Sequence, residues 1–265
     1  MYNYHTHTYR CKHAEMTEDD YAAKAFEEGY DGLGFSDHVI LPDMQSRIRG
    51  TGCELEGYLA SVRRLQNEYR GKMEIFLGFE CEWSRRFEGY YRSLLESGKV
   101  DYLIFGNHAT YFKGNVEYPL KINSYSGFVE RYRRFALEAL ESGLFSVFAH
   151  PDQYTFRTPW TKKAEKAAYD ICECAKKNGV ALELNMSCMR GKRGLREIFG
   201  ETRCRYPYEK FWNVAKEVGN VAVIGVDAHS PDDLKVSDRH VIEEFASSLG
   251  IVVTDRLDTI KDRSK

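Results

Sequence analysis

No apolar run in this 265-residue sequence approaches the roughly 20 residues that a membrane-spanning helix needs, and Met1 is not followed by the basic and apolar blocks of a secretory leader. A soluble, cytoplasmic protein with no membrane partner is the expectation. Neither sign of charge is in excess, since 38 Lys and Arg stand against 40 Asp and Glu for a formal net charge of -2. Polymeric nucleic acid therefore finds no general electrostatic attraction here. The cysteines lack pattern: Cys11, Cys53, Cys81, Cys172, Cys174, Cys188 and Cys204 show no CxxC spacing, which points to reduced, mostly buried thiols rather than a disulfide framework. Also missing are a GxxxxGK[ST] phosphate loop, a GxSxG elbow, a DxD pair and a cysteine followed six residues later by arginine. Routes through phosphocysteine or phosphoaspartate lose support accordingly. With no low-complexity linker or repeat, one domain over residues 1–265 is expected.

What the sequence does contain is alternation. Short apolar runs at Tyr2–His5, Leu33–Phe35, Met73–Gly78, Tyr102–Phe105, Phe145–Ala149, Val180–Leu184 and Val221–Val226 read as strands, with amphipathic stretches between them. Thr17 with Asp20 forms a capping-box pattern ahead of a helix that Gly29 stops, and Thr161 to Asn178 repeats the arrangement before Gly179. Ser230 to Asp233 reads as a loop before a helix at Arg239–Leu249. Strand and helix in alternation predict an α/β fold of parallel βα units.

The histidines fall on that pattern in an orderly way. His5 and His7 end the first strand, His38 follows the second, His108 the fourth, His150 the fifth and His229 the seventh, so six of the eight histidines occupy strand C-terminal ends. A parallel barrel gathers those ends on one face. Glu80 after the third strand and Asp227 after the seventh add carboxylates to the same face, and such a donor set suits zinc, manganese or iron. A lone histidine is more often a surface or hydrogen-bonded residue than a ligand, and HxH alone is a weak motif, so the weight rests on the shared placement. His240, in a charged helix, keeps the ordinary reading, and spacing alone leaves His13 open.

Taken in order, His5-Thr6-His7, His13, Ser36-Asp37-His38, Gly78-Phe79-Glu80, Gly106-Asn107-His108, Ala149-His150-Pro151-Asp152 and Gly225-Val226-Asp227-Ala228-His229 resemble the PHP (polymerase and histidinol phosphatase) family over nearly the whole chain. Asn185 to Arg190 and Tyr206-Pro207 look most like the substrate-side segment of its stand-alone histidinol-phosphate phosphatases. The resemblance implies a distorted (βα)7 TIM-like barrel holding three divalent metal ions. His5, His7, Glu80 and Asp227 would hold the first; Glu80 would bridge to a second completed by His108 and His150; His13, His38 and His229 would surround the third. One position departs from the family pattern, because Asn3 stands where an acidic residue often precedes the first ligand, weakening the charge behind the ligands.

Closely spaced divalent cations lower the pKa of a bridging water and neutralise phosphate oxygens, so hydroxide attack on a small phosphomonoester is the expected chemistry. L-Histidinol phosphate is the substrate that the resemblance favours. Glu80, Asp227 and His229 are the candidate catalytic groups; Asp227, a metal-bound water and Asp152 remain open as proton donor to the leaving group. Arg157 and Arg190 are candidate phosphate clamps, with Arg193 a substitute for the second. Asp37 should support a neighbouring ligand rather than bind metal, and Tyr111, Phe112, Tyr154 and Trp160 could line a pocket, although core packing suits most aromatics. Two other functions fit the same motifs: a PHP phosphodiesterase or nucleotide phosphatase, and a non-catalytic metal-binding protein.

Overall fold

A computed structural model describes residues 1–42, 49–108, 110–112, 115–117, 124–190 and 194–260. Its elements run β1 (Tyr2–Asn3), α1 (Glu18–Glu27), β2 (Gly32–Phe35), α2 (Gly52–Glu68), β3 (Glu74–Cys81), α3 (Glu88–Glu96), β4 (Tyr102–Gly106), a hairpin of β5 (Thr110–Phe112) and β6 (Asn115–Glu117), α4 (Tyr125–Glu141), β7 (Val147–Ala149), α5 (Lys162–Lys177), β8 (Ala181–Asn185), a hairpin of β9 (Arg196–Ile198) and β10 (Glu201–Arg203), α6 (Glu209–Val218), β11 (Ala222–Gly225) and α7 (Arg239–Leu249). The sheet order is β1-β2-β3-β4-β7-β8-β11, parallel throughout. The parallel βα units expected from the alternation are present, and they form the TIM-like barrel that the family resemblance implies, with the two hairpins as additions.

Main-chain hydrogen bonds just beyond β1 and β11 close the ring. Thr6 bridges Ala228 in parallel, His7 N donates to Ala228 O at 2.9 Å, and Ala228 N returns a bond to His5 O at 3.3 Å. Asn3, three residues before Thr6, also fastens the seam. Its Oδ1 accepts from Val226 N (2.9 Å) and His5 N (3.2 Å), while Nδ2 donates to Thr6 Oγ1 (2.8 Å) and His5 O (3.2 Å). A carboxylate at position 3 could not donate the last two bonds, so the amide suits the seam.

Two apolar layers hold the ring. Tyr4, Phe76, Tyr102, Ile104, Val147, Ala181 and Val223 fill the barrel floor, where Leu257 and Ile260 of the C-terminal segment join them. A larger layer packs the outward faces of the strands against the helices. The helices begin as their sequences indicate: capping boxes pair Thr17 with Asp20 and Thr51 with Glu54, and Thr161 Oγ1 accepts from Ala164 N at 3.2 Å. Ser230 to Asp233 departs from its expected loop, because Ser230 and Asp233 cap a 3-10 turn at Pro231–Leu234. Among the described residues no helix is long and apolar enough to cross a membrane.

Candidate metal centre

The floor of the barrel is aromatic and its rim is polar, and the change occurs along single strands. On β3, Phe76 points into the apolar floor, whereas Glu80, four residues on and so on the same side, rises into the histidine cluster. Glu80 lies within β3 rather than beyond it, because the strand continues to Cys81. Glycine makes room for the carboxylates: a Cβ on Gly106 would meet Glu80 and His108, and one on Gly225 would overlap Glu183. His150 and Asp227 both have left-handed backbone, with φ of 34° and 52°. Non-glycine residues adopt that conformation at a cost and are held there by their surroundings, which is common at functional sites.

Two groups of ligand atoms share Glu80. In the first, His5 Nε2 and His7 Nε2 are 3.0 Å apart, and each lies 3.4 to 3.7 Å from Glu80 Oε2 and Asp227 Oδ1. Donors bonded to one ion at about 2.1 Å stand about 3.4 Å apart in a tetrahedron, so the spacing fits a metal. In the second, His108 Nε2 and His150 Nε2 are 3.1 Å apart, and each faces Glu80 Oε1, at 3.4 and 3.3 Å. That oxygen is buried and accepts no hydrogen bond from protein. Burial opposes ionisation of Glu80 and Asp227, yet the surrounding histidines outweigh it and hold both carboxyls well below the usual range. Burial, with His229 beside it, likewise holds the His7 imidazole well below its usual range, which keeps that ring neutral.

The third expected group is looser. Rings of His13, His38 and His229 gather at the mouth, with centroids 5.4 Å apart for His13 and His38 and 4.8 Å for His13 and His229. Their ligand atoms do not form one of the compact groups of three found among the described residues. His38 Nδ1 instead lies 3.1 Å from Glu80 Oε2, and His13 Nδ1 must donate to the Cys11 carbonyl at 2.7 Å, leaving Nε2 as its free donor atom. Exposure rises from 1% at His5 and His7 to 32% for the His229 side chain, so the centre runs from a closed floor to an open mouth. Cys11 joins His7 and His229 in another compact group, and burial raises its thiol to about 12.

Sequence reasoning missed the groups behind the ligands. His5 Nδ1 donates to Glu183 Oε1 at 2.8 Å, and the other Glu183 oxygen accepts from His150 N (3.0 Å) and Asn185 Nδ2 (2.8 Å). This fixes the His5 tautomer, so Nε2 faces Glu80 and Asp227. The acid not found at position 3 is thus supplied by β8. The strand reading put Glu183 in a nearly apolar run, and only its inward register would have revealed it. Asp37 behaves as anticipated: it accepts from Thr8 N (2.8 Å) and Thr8 Oγ1 (2.6 Å), bracing the loop after His7, while burial raises its carboxyl to about 7.

His7, His13, His38, Glu80, His108, His150, Asp227 and His229 line the cleft together with Gln153 and Tyr206. Neither arginine named from sequence is among the lining residues. Arg190 binds the main chain behind Asp227, donating to Val226 O (2.5 Å) and Asp227 O (3.4 Å) and pairing with Asp233 at 3.3 Å. Arg157 stands one ring farther out, 4.7 Å from the centre of Phe156, with Arg205 5.7 Å from the same ring. Phe156 in turn packs on Tyr206. Arg193 and the side chains of Tyr111 and Phe112 lie outside the described residues. Asp152 is buried away from the cleft, where it accepts from Tyr208 N at 2.5 Å; Tyr154 is core and donates to Ala164 O; Trp160 packs on Tyr208.

A family model for the PHP domain matches residues 3–187, well over half of the chain. The chain belongs to the PHP domain family. That match contains the donors from His5 to His150, while Asp227 and His229 lie beyond it and are tied to the centre by the geometry above. Among curated PHP relatives, a protein named "Probable histidinol-phosphatase" from Deinococcus radiodurans is 28% identical over 262 residues, 95% of each chain. Among solved structures, the Listeria monocytogenes HisK chain gives a TM-score of 0.72 at 17% identity, covering 91% of this chain and 99% of that one. A Lactococcus lactis histidinol phosphate phosphatase, complexed with zinc, L-histidinol and phosphate, gives 0.69 at 18% identity and covers 98% and 97%. At such identities the two structures establish a common PHP fold.

Proposed function

We propose that this chain is a metal-dependent phosphatase that hydrolyses a small phosphomonoester, with L-histidinol phosphate as substrate. The observation that carries the reading is Glu80, which turns one oxygen to His5 and His7 and the other to His108 and His150. A carboxylate shared in this way suits two adjacent ions, and His13, His38 and His229 at the open mouth suit a third. Zinc, manganese and iron all fit the donors, and the Lactococcus relative was solved with zinc. When bound, such ions activate water and neutralise charge on the phosphate.

The chain's own residues perform the rest. Glu80 and Asp227 bring carboxylate oxygens to the histidine nitrogens of the centre, and Arg190 fixes the main chain from which Asp227 projects. Asp227 and His229 face the cleft, whereas Asp152 is engaged elsewhere and is not available to the leaving oxygen. Arg157 keeps the substrate-binding role and gains Arg205 as its neighbour; no carboxylate pairs with either among the described residues, so both can turn to a phosphate at the rim. The near-zero net charge supports a small substrate over a nucleic acid, and the open mouth favours turnover over storage.

Phosphate release from histidinol phosphate, nucleotides, a phosphotyrosine peptide and a diester, with metal content measured on the same preparation, tests the proposal. Preference for histidinol phosphate is expected. Preference for another ester would replace the substrate, and no release by the fully metallated protein would leave a metal-binding protein.

A further inference from the structure

Glu82 lies just past the end of β3, two residues beyond Glu80, and a two-residue step along extended backbone returns a side chain to the same side. It is 1% exposed, and Oε2 accepts from Arg49 Nη2 at 2.8 Å. Arg49, equally buried, is itself anchored by donating Nη1 to Val39 O at 3.2 Å. The other Glu82 oxygen, Oε1, faces His108 Nδ1 at 3.5 Å. On the far side of that ring, Nε2 faces His150 and Glu80.

We propose that Glu82 is the positioning carboxylate of His108, accepting the Nδ1 hydrogen so that Nε2 presents its lone pair to the ion shared with His150 and Glu80, while Arg49 holds Glu82 in place. A neutral imidazole carries one N–H, so Nε2 can bind a cation only if Nδ1 keeps its hydrogen, and a carboxylate behind Nδ1 fixes that tautomer. The Glu183–His5 pair builds the same arrangement for the first group at 2.8 Å. Arg49, 2.8 Å from Oε2, offsets the buried charge of Glu82 and leaves Oε1 to face His108. The two ligand groups would then each have a buried carboxylate behind one histidine, with Glu80 between them.

A second arrangement uses the same atoms. Ligand atoms of His38, Glu82 and His108 lie within 4.8 Å of one another, which would make Glu82 a direct ligand. His108 would then have to turn Nδ1 to that ion and give up the group it forms with Glu80 and His150, or bind through both nitrogens. The positioning role keeps both groups intact.

The inference rests on the metal-centre reading but not on any substrate, so metal binding is its primary readout. Metal-loaded wild type, Glu82→Gln and Glu82→Asp would be compared by competition with a zinc-chelating dye, by the visible spectrum of the cobalt-substituted protein, and by kcat and KM. Glu82→Gln is expected to weaken one ion by roughly 10- to 100-fold, with full stoichiometry regained at saturating zinc, a perturbed cobalt spectrum, and kcat reduced more than KM is raised. Glu82→Asp should recover part of the affinity. Unchanged affinity and spectrum in folded Glu82→Gln would overturn the proposal, as would loss of one ion even at saturating zinc, which would make Glu82 a ligand. Should Glu82→Gln not fold, Arg49→Met is the second variant: weaker binding of one ion supports the proposal and unchanged binding overturns it. Metal affinity that responds as expected in a protein releasing phosphate from no ester would sink the phosphatase reading alone.

Discussion

At the scale of single residues the centre depends on carboxylates that few neighbours could replace. Glu80→Gln removes the charge that both histidine groups face, and with several kcal/mol of electrostatic stabilisation at stake, kcat should fall by about 100-fold or more in protein whose metal content has been verified. Near-wild-type turnover in that protein would end the bridging role. The arginines should separate. Arg157→Ala loses a charge-assisted contact worth about 1.5–3 kcal/mol, raising KM by roughly 10- to 100-fold, whereas Arg190→Ala should act mainly on kcat and stability, because its guanidinium holds the carbonyls of Val226 and Asp227. Steady-state kinetics on both variants decides; equal KM effects would place Arg190 on the substrate after all. That these histidines gather on one face was legible because six of the eight follow strand C-terminal ends, which a parallel barrel brings together. Glu82 and Glu183 were not: their job is visible only once His108 and His5 show which ring nitrogen faces away from the cluster, and an arginine's partners cannot be read from its place after a strand.

At the scale of elements, all seven barrel strands were legible, most of them as largely apolar buried runs between helix signals, with β1 reduced to Tyr2–Asn3. The hairpin of β9 and β10 was not, because Arg196-Glu197-Ile198 and Glu201-Thr202-Arg203 are largely polar and exposed and carry no run to detect. Nor was the seam visible, since nothing in the sequence says that residue 3 meets residue 226. Its importance is testable. Asn3→Ala would leave the buried amide of Val226 without its acceptor and remove two donated bonds, so a loss of about 1–3 kcal/mol is expected in urea unfolding with an unchanged m-value. A change under about 0.5 kcal/mol, the level of an ordinary surface substitution, would show that main-chain bonds alone close the ring. Gly225→Ala should be worse for the centre than for the fold: its new Cβ overlaps the Glu183 carboxylate, so metal affinity should drop through His5.

At the scale of the whole molecule, the barrel concentrates negative charge where a folded protein can least tolerate it. Glu80, Glu82 and Glu183 are each no more than 2% exposed, and Asp227 is only 9% exposed beside them. Arg49 offsets Glu82, but the rest face histidines, and imidazoles that serve as neutral ligands cannot also neutralise carboxylates. A divalent cation resolves the conflict, so folding and metal binding should be linked. For one site occupied at a hundredfold excess over Kd the linkage is about 2.7 kcal/mol, which at roughly 2–4 °C per kcal/mol for a chain near this size predicts that a chelator lowers Tm by about 5–10 °C. Zinc, manganese and iron, added back separately at equal concentration, should restore Tm in the order of their affinity, which would identify the metal the centre prefers. Complete metal removal with no change in Tm would mean that hydrogen bonds among the histidines and carboxylates already satisfy the cluster; in that event the carboxylates are arranged for substrate and turnover alone, and the ions contribute nothing to the fold.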